Sequence, residues 1–110
     1  MKNILKGIQY DLLDYIEDEE DAEYTVEDVT ECITLLLEFM SNVEERVTDL
    51  NTAEIEVREL VLSLNELNEQ CADALIETSQ REDIVLFIEK VLIESNVVFE
   101  EDITERWREW

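Results

Sequence analysis

An all-α fold, a compact bundle of four helices plus a short C-terminal helix with a central antiparallel helical hairpin, follows from three features of the sequence. Proline is absent and Gly7 is the only glycine, so the residues that usually make tight turns and sheet bends are missing. Leu, Glu and other helix formers dominate. Apolar residues recur at steps of three and four along most of the chain. With 110 residues, 45% of them apolar, the chain suits a single domain over 1–110 with a modest core. It is too apolar for a disordered acidic tail.

The first helix is expected over 2–19. Leu5, Ile8, Leu12 and Tyr15, with Ile4 and Ile16 beside them, form its core stripe. Asp11, Asp14, Asp18 and Asp21 form the opposite one. Residues 17–23 are nearly all acidic. Carboxylates at a helix C-terminus oppose the macrodipole, which supports an ending there. Thr25, with Asp28 three residues on, then offers a cap to the second helix.

The second helix carries a seam of Val29, Ile33, Leu36, Met40, Val43, Val47 and Leu50. The third carries Ala53, Val57, Leu60, Leu64, Leu67, Cys71 and Ala74. The phase slips between Leu50 and Ala53, where the step is 3 rather than the 4 due. This slip, with Asn51 and Thr52 beside it, predicts a tight turn between antiparallel helices, and Asn51 with Glu54 offers a looser cap. Folding back between Asn51 and Thr52 sets Val29 opposite Ala74, Leu36 opposite Leu67, Val43 opposite Leu60 and Cys32 opposite Cys71. The rival is one unbroken helix with a stammer in its heptads, which requires a partner chain.

Ser79 and Glu82 form a capping box for the fourth helix, whose wide apolar face holds Ile84, Val85, Phe87, Ile88, Val91 and Leu92. Ser95 and Asn96 end it. Asp102 with Glu105 predicts a cap for the short last helix, which bears Ile103, Trp107 and Trp110.

The residue types exclude much chemistry. Histidine is absent, which removes the commonest general base and transition-metal ligand. One glycine cannot build a phosphate-cradling loop, and the acid run lacks the glycine and ligand spacing of an EF-hand. Cys32 and Cys71 fall on apolar seams and read as small core residues. Neither catalysis nor a cofactor is expected. No apolar run approaches a membrane span and the amphipathic N-terminus does not read as a signal peptide. The expected location is the cytoplasm of a bacterial or infected host cell, with thiols reduced.

Charge is the informative feature. The net charge is −23, from 31 acids and 8 bases. It disfavours direct contact with nucleic acid or an anionic membrane and favours cationic partners. Two carboxylates about 6 Å apart in water repel by about 0.7 kcal/mol before screening, so so many of them are not incidental. Between Lys6 and Arg46 there are fourteen acids and no base. Ten of these crowd a single stretch: Asp14, Glu17, Asp18, Glu19, Glu20, Asp21, Glu23, Glu27, Asp28 and Glu31. These are the expected partner-binding residues. Trp107 and Trp110, interleaved with Arg106 and Arg108, form a possible secondary interface.

In size and charge the chain resembles the small acidic nucleic-acid mimics that block restriction, CRISPR or toxin nucleases. The likeness carries no motif and transfers no residue role. It implies an acidic inhibitor, monomer or homodimer, bound to the basic surface of a nucleic-acid-binding protein. Alternatives are an immunity protein neutralising a cationic toxin, a helical chaperone or adaptor holding a partner helix in an apolar groove, and a structural dimer built on the long seams.

Overall fold

The computed structural model describes residues 2–19 and 21–110 and contains four helices: α1 Lys2–Asp18, α2 Val26–Arg46, α3 Leu50–Gln70 and α4 Thr78–Glu94. No strand occurs among the described residues, and no helix is long and apolar enough to cross a membrane. The helices form an elongated bundle of 45 × 25 × 21 Å. α2 lies at its centre, packed against α1, α3 and α4, most extensively against α3.

α1 buries Leu5, Ile8 and Leu12, the stripe that its spacing predicts. Tyr15 leaves the stripe and is exposed, yet it stacks on Tyr24 with ring centroids 5.6 Å apart. Tyr24 is buried and its hydroxyl donates to the Leu12 carbonyl at 3.0 Å. One aromatic pair therefore ties the acidic connection back onto α1.

α2 opens with the expected capping box. The Asp28 carboxylate accepts the Thr25 N–H at 2.9 Å, and Thr25 Oγ1 accepts the Asp28 N–H at 3.4 Å. The helix buries Val29, Cys32, Leu36, Phe39 and Val43. Cys32 and Phe39 thus take the central places expected for Ile33 and Met40, which are half-buried, while Leu50 is exposed. A helix with three neighbours rotates its broadest apolar arc inward rather than the seam that suits a single partner.

The hairpin is formed, but its turn spans 47–49 instead of Asn51 and Thr52, both of which lie inside α3. Asp49 is the cap: its Oδ1 accepts the Thr52 N–H at 2.9 Å, and Thr52 Oγ1 accepts the Asp49 N–H at 3.2 Å. This reciprocal pair satisfies first-turn donors, and Asn51 and Glu54 form no cap. The fold-back centre is therefore Thr48, about one helical turn earlier than the spacing suggested. Level positions become Val43 with Ala53, Phe39 with Val57, Leu36 with Leu60, Cys32 with Leu64 and Val29 with Leu67. All ten side chains are buried. The same register brings Leu35, Phe39 and Asn42 into one groove with Glu56, Leu60 and Ser63. Val29 and Cys32 thus stand level with Leu67 and Leu64, Ala74 falls beyond the end of α3, and Cys71, its C-cap, still lies near enough to Cys32 to raise that thiol.

α3 ends in a Schellman motif. The Asp73 N–H donates to the Asn68 carbonyl at 2.8 Å and the Ala72 N–H to Glu69 at 3.1 Å. Ala72 and Asp73 adopt φ of 55° and 60°, a left-handed conformation that costs a residue with a Cβ. Asn68 also accepts the Ile76 N–H through Oδ1 at 2.9 Å, which fixes the chain as Leu75 and Ile76 enter the core. That entry sets the start of α4 at Thr78, with Glu77 at the N-cap and no side-chain cap bond. Ser79 already lies in the first turn, so the Ser79–Glu82 box is not formed. α4 buries Ile84, Phe87, Ile88, Val91 and Leu92. It ends as expected at Ser95 and Asn96: Asn96 has φ 61°, and the Val97 N–H reaches the Leu92 carbonyl.

Beyond α4, the expected terminal helix takes the form of consecutive turns over 103–107. So short a helix gains few hydrogen bonds for its nucleation cost. Asp102 instead accepts the Thr104 N–H at 2.9 Å and pairs with Arg108 at 3.1 Å. The segment runs along α3 as a strap. Asn65 of α3 holds it by both ends of its amide: Nδ2 donates to the Trp107 carbonyl at 2.8 Å, and Oδ1 accepts the Glu109 N–H at 3.1 Å. Trp107 and Trp110 pack partly buried against the core.

Two outcomes follow from these local geometries. Ala72→Gly removes a left-handed penalty and is expected to raise the unfolding free energy by about 1 kcal/mol, read from the denaturant midpoint. Asn65→Ala leaves two strap groups without partners and is expected to cost about 1–3 kcal/mol, with loss of hydrogen-exchange protection at the Glu109 amide.

Candidate functional site

The acids of one stretch of sequence become one end of the bundle. The C-terminal half of α1, the connection to α2, the first turns of α2, the 71–77 loop and the start of α4 meet there. Tyr24 senses Glu77, Cys71 senses Asp28 and Glu31, and Asp83 senses Asp11. By sequence, residues 9–31 and 66–86 hold seventeen acids and one base, Arg81, whereas the remainder holds fourteen acids and seven bases. The molecule is strongly polarised along its length.

Asp14, Glu17 and Asp18 are exposed on α1; Glu19, Asp21 and Glu23 are exposed on the connection; Glu27 and Glu31 are exposed on the first turns of α2. Asp28 differs, because it is half-buried and its carboxylate is committed to the cap of α2. Glu20 lies outside the described residues. Helical rise spaces carboxylates on one stripe by about 4.5–6 Å, comparable with the 3.4 Å of axial rise per phosphate along one DNA strand. The carboxylates point to solvent instead of converging: no group of three or more His, Cys, Asp or Glu suited to a metal ion occurs among the described residues.

Helix packing adds acids that the linear run does not include. Asp11 stands across from Asp83, beside Glu82, and Glu77 joins from the loop. Partial burial, then Asp11 and Glu82, hold the Asp83 carboxyl above the usual carboxylate range. Burial, then Tyr15, Glu77 and Cys71, push the Tyr24 hydroxyl up to about 12. Burial, then Asp28 and Glu31, raise the Cys71 thiol to about 11. Burial and then Cys71 raise Cys32 to about 12. Both cysteines are buried and free. These shifts share a sign, since each favours the form without negative charge.

The Trp107 region is a different surface, whereas Trp110 shares a groove with Asn68, Glu69 and Asp73 at the edge of the 71–77 loop. Arg106 and Arg108 lie over the rings of Trp107 and Trp110 at 5.6 and 5.5 Å. An open groove of about 480 Å3 runs between the strap and the start of α3, with Leu50, Val98, Phe99, Ile103 and Trp107 in its walls. It lies away from the acidic end.

Asp83 provides a test of the crowding. Its folded pKa is raised, so the fold favours the protonated form: this contribution is full below the unfolded pKa and is lost as pH rises through the folded one. Asp83→Asn is therefore expected to raise stability at neutral pH by a few tenths of a kcal/mol, the scale of exposed charge pairs. In thermal melts the gain should vanish as pH falls below the carboxylate range.

No protein-family model, curated protein or solved structure matches the chain.

Proposed function

We propose that this protein is an acidic inhibitor that occupies the basic, nucleic-acid-binding surface of a target protein, of the restriction, CRISPR or other nuclease kind, in the cytoplasm of a bacterial or infected cell. The observation that carries this reading is the polarised end of the bundle, where two segments contribute seventeen acids and one base. Its helices are packed, with α2 capped by Thr25 and Asp28 and α3 closed by its Schellman motif, so the carboxylates sit on a firm frame instead of a flexible tail, and binding orders little new chain. A groove of Lys and Arg shaped for phosphates meets there a rigid array of negative charge. Long-range attraction then steers association, and salt weakens it. The chain itself contributes no reaction step: without histidine, and with both thiols buried and protonated at neutral pH, the surface offers charge and shape.

The test begins with capture at low salt and elution by a salt gradient, followed by competition between this protein and labelled DNA or RNA for the captured target. Reversal of three exposed acids together, Glu17→Lys, Glu27→Lys and Glu31→Lys, is expected to weaken binding by more than about a hundredfold with the helical circular dichroism unchanged. Binding untouched by the triple reversal refutes the reading. Binding that persists without displacing nucleic acid assigns instead an immunity-type contact beside the target's catalytic site.

A further inference from the structure

The outer face of α3 has the composition of an interface. Ile55 and Leu62 lie two turns apart on one line and are 56% and 43% exposed. At about 100° per residue, Arg58 and Glu59 fall on opposite sides of that line. On the Arg58 side, Arg106 and Trp107 of the strap complete a groove of about 440 Å3 that also holds Glu54. On the Glu59 side, Glu59 shares another groove with Glu38 and Glu56. An apolar line thus runs between a flank of net positive charge, with two arginines and one glutamate, and an acidic flank with three glutamates. Neither Arg58 nor Arg106 has an ion-pair partner among the described residues, in a chain where acids outnumber bases 31 to 8.

The geometry points to a second copy of this chain as the occupant, docked as a two-fold dimer with the two α3 helices side by side and parallel. Both halves of the required complement are on this one face. A two-fold axis along α3 sets Ile55 on Ile55 and Leu62 on Leu62 of the second copy. It also brings the basic flank of each copy onto the acidic flank of the other, so Arg58 meets Glu59 of the second copy twice over. The antiparallel alternative faces like flank to like flank, Arg58 against Arg58, and charge disfavours it. Repulsion between the acidic ends does not forbid the parallel form. α1, which carries the exposed acid stripe, packs mainly on α2 and α4. The α1 stripe therefore faces away from α3; Glu66, one turn beyond Leu62, does face its own counterpart, an exposed pair whose repulsion is a fraction of a kcal/mol at physiological salt. The pairing leaves the acids of α1, of its connection to α2 and of the first turns of α2 uncovered and does not depend on what they bind.

Sedimentation equilibrium at physiological ionic strength tests this with the full chain. The protein is expected to dimerise reversibly. Arg58→Glu and Glu59→Arg should each weaken the dimer by about tenfold, because every substitution acts at two symmetric pairs. The combined Arg58→Glu, Glu59→Arg variant should return to within about threefold of the parent. Circular dichroism checks that all variants fold, which these exposed helix positions permit. Under mild oxidation Ile55→Cys should cross-link to its own counterpart, the native cysteines being buried. A monomer at every concentration overturns the proposal. So does a dimer indifferent to Arg58→Glu, a double variant as weak as the singles, or a dimer in which Ile55→Cys fails to cross-link.

Discussion

The register of α2 against α3 is the constraint from which the other contacts follow. Five buried positions on one helix stand level with five on the other, from Val43 beside Ala53 at the turn to Val29 beside Leu67 at the far end. Full burial of a Val, Leu or Phe side chain stabilises by about 1.5–3 kcal/mol. A slip of one turn would unmatch several such residues at once, which outweighs any single cap or surface pair. The Asp49–Thr52 box chooses where the helix restarts, and the seam multiplies that local choice along the pair. With α2 placed, its remaining apolar arc receives α1 and α4. With α3 placed, Asn65 and Asn68 are held where they grip the strap and the 71–77 loop.

That seam is also what tolerates the charge. Packing brings Asp11 toward Asp83 and Glu77 toward Tyr24, so the folded state concentrates negative charge at one end. Each exposed pair costs a fraction of a kcal/mol in water, whereas each buried side chain of the seam contributes several times as much. The connection at the centre of the acid run is anchored by apolar and neutral contacts: the Tyr15–Tyr24 stack and the bond from Tyr24 to Leu12. The exposed carboxylates of Glu19, Asp21 and Glu23 take no part in that anchoring. An end built this way keeps its fold whether its charge is neutralised or not, because the contacts that anchor it are uncharged.

α3 has two outward duties that differ in kind. Toward one side it accepts the strap, where polar Asn65 replaces an apolar contact because the strap has unpaired backbone groups to satisfy. Its most exposed line keeps Ile55 and Leu62 in water between an arginine flank and a glutamate flank. The strap helps to shape that face, since Arg106 and Trp107 stand beside Arg58 and Leu62. The bases lie mainly toward the end opposite the acid run, so the most acidic surface and the arginine-bearing face of α3 are physically separate.

The sequence by itself determined that the chain is helical, where the core stripes of α1 and α3 lie, that Thr25 with Asp28 opens α2 and that Asn96 closes α4. These are local matters, decided by period, cap chemistry and the absence of proline. It also showed the run of acids from Asp14 to Glu31, because those residues are neighbours in the chain. Tertiary structure alone decided the exact turn, the use of Cys32 and Phe39 over Ile33 and Met40, the start of α4 at Thr78 and the unwinding of the last helix into a strap. In the last three a non-local contact outranked a local preference: three partners around α2, the Asn68 grip on Ile76, the Asn65 grip on Trp107 and Glu109; at the turn one local cap, Asp49 with Thr52, prevailed over another, Asn51 with Glu54, in the register that the α2–α3 seam accepts. The wider acidic end, with Asp11, Glu77, Glu82 and Asp83, was illegible for the same reason. Those residues lie far apart in the chain, and only the packing of α4 on α1 makes them neighbours.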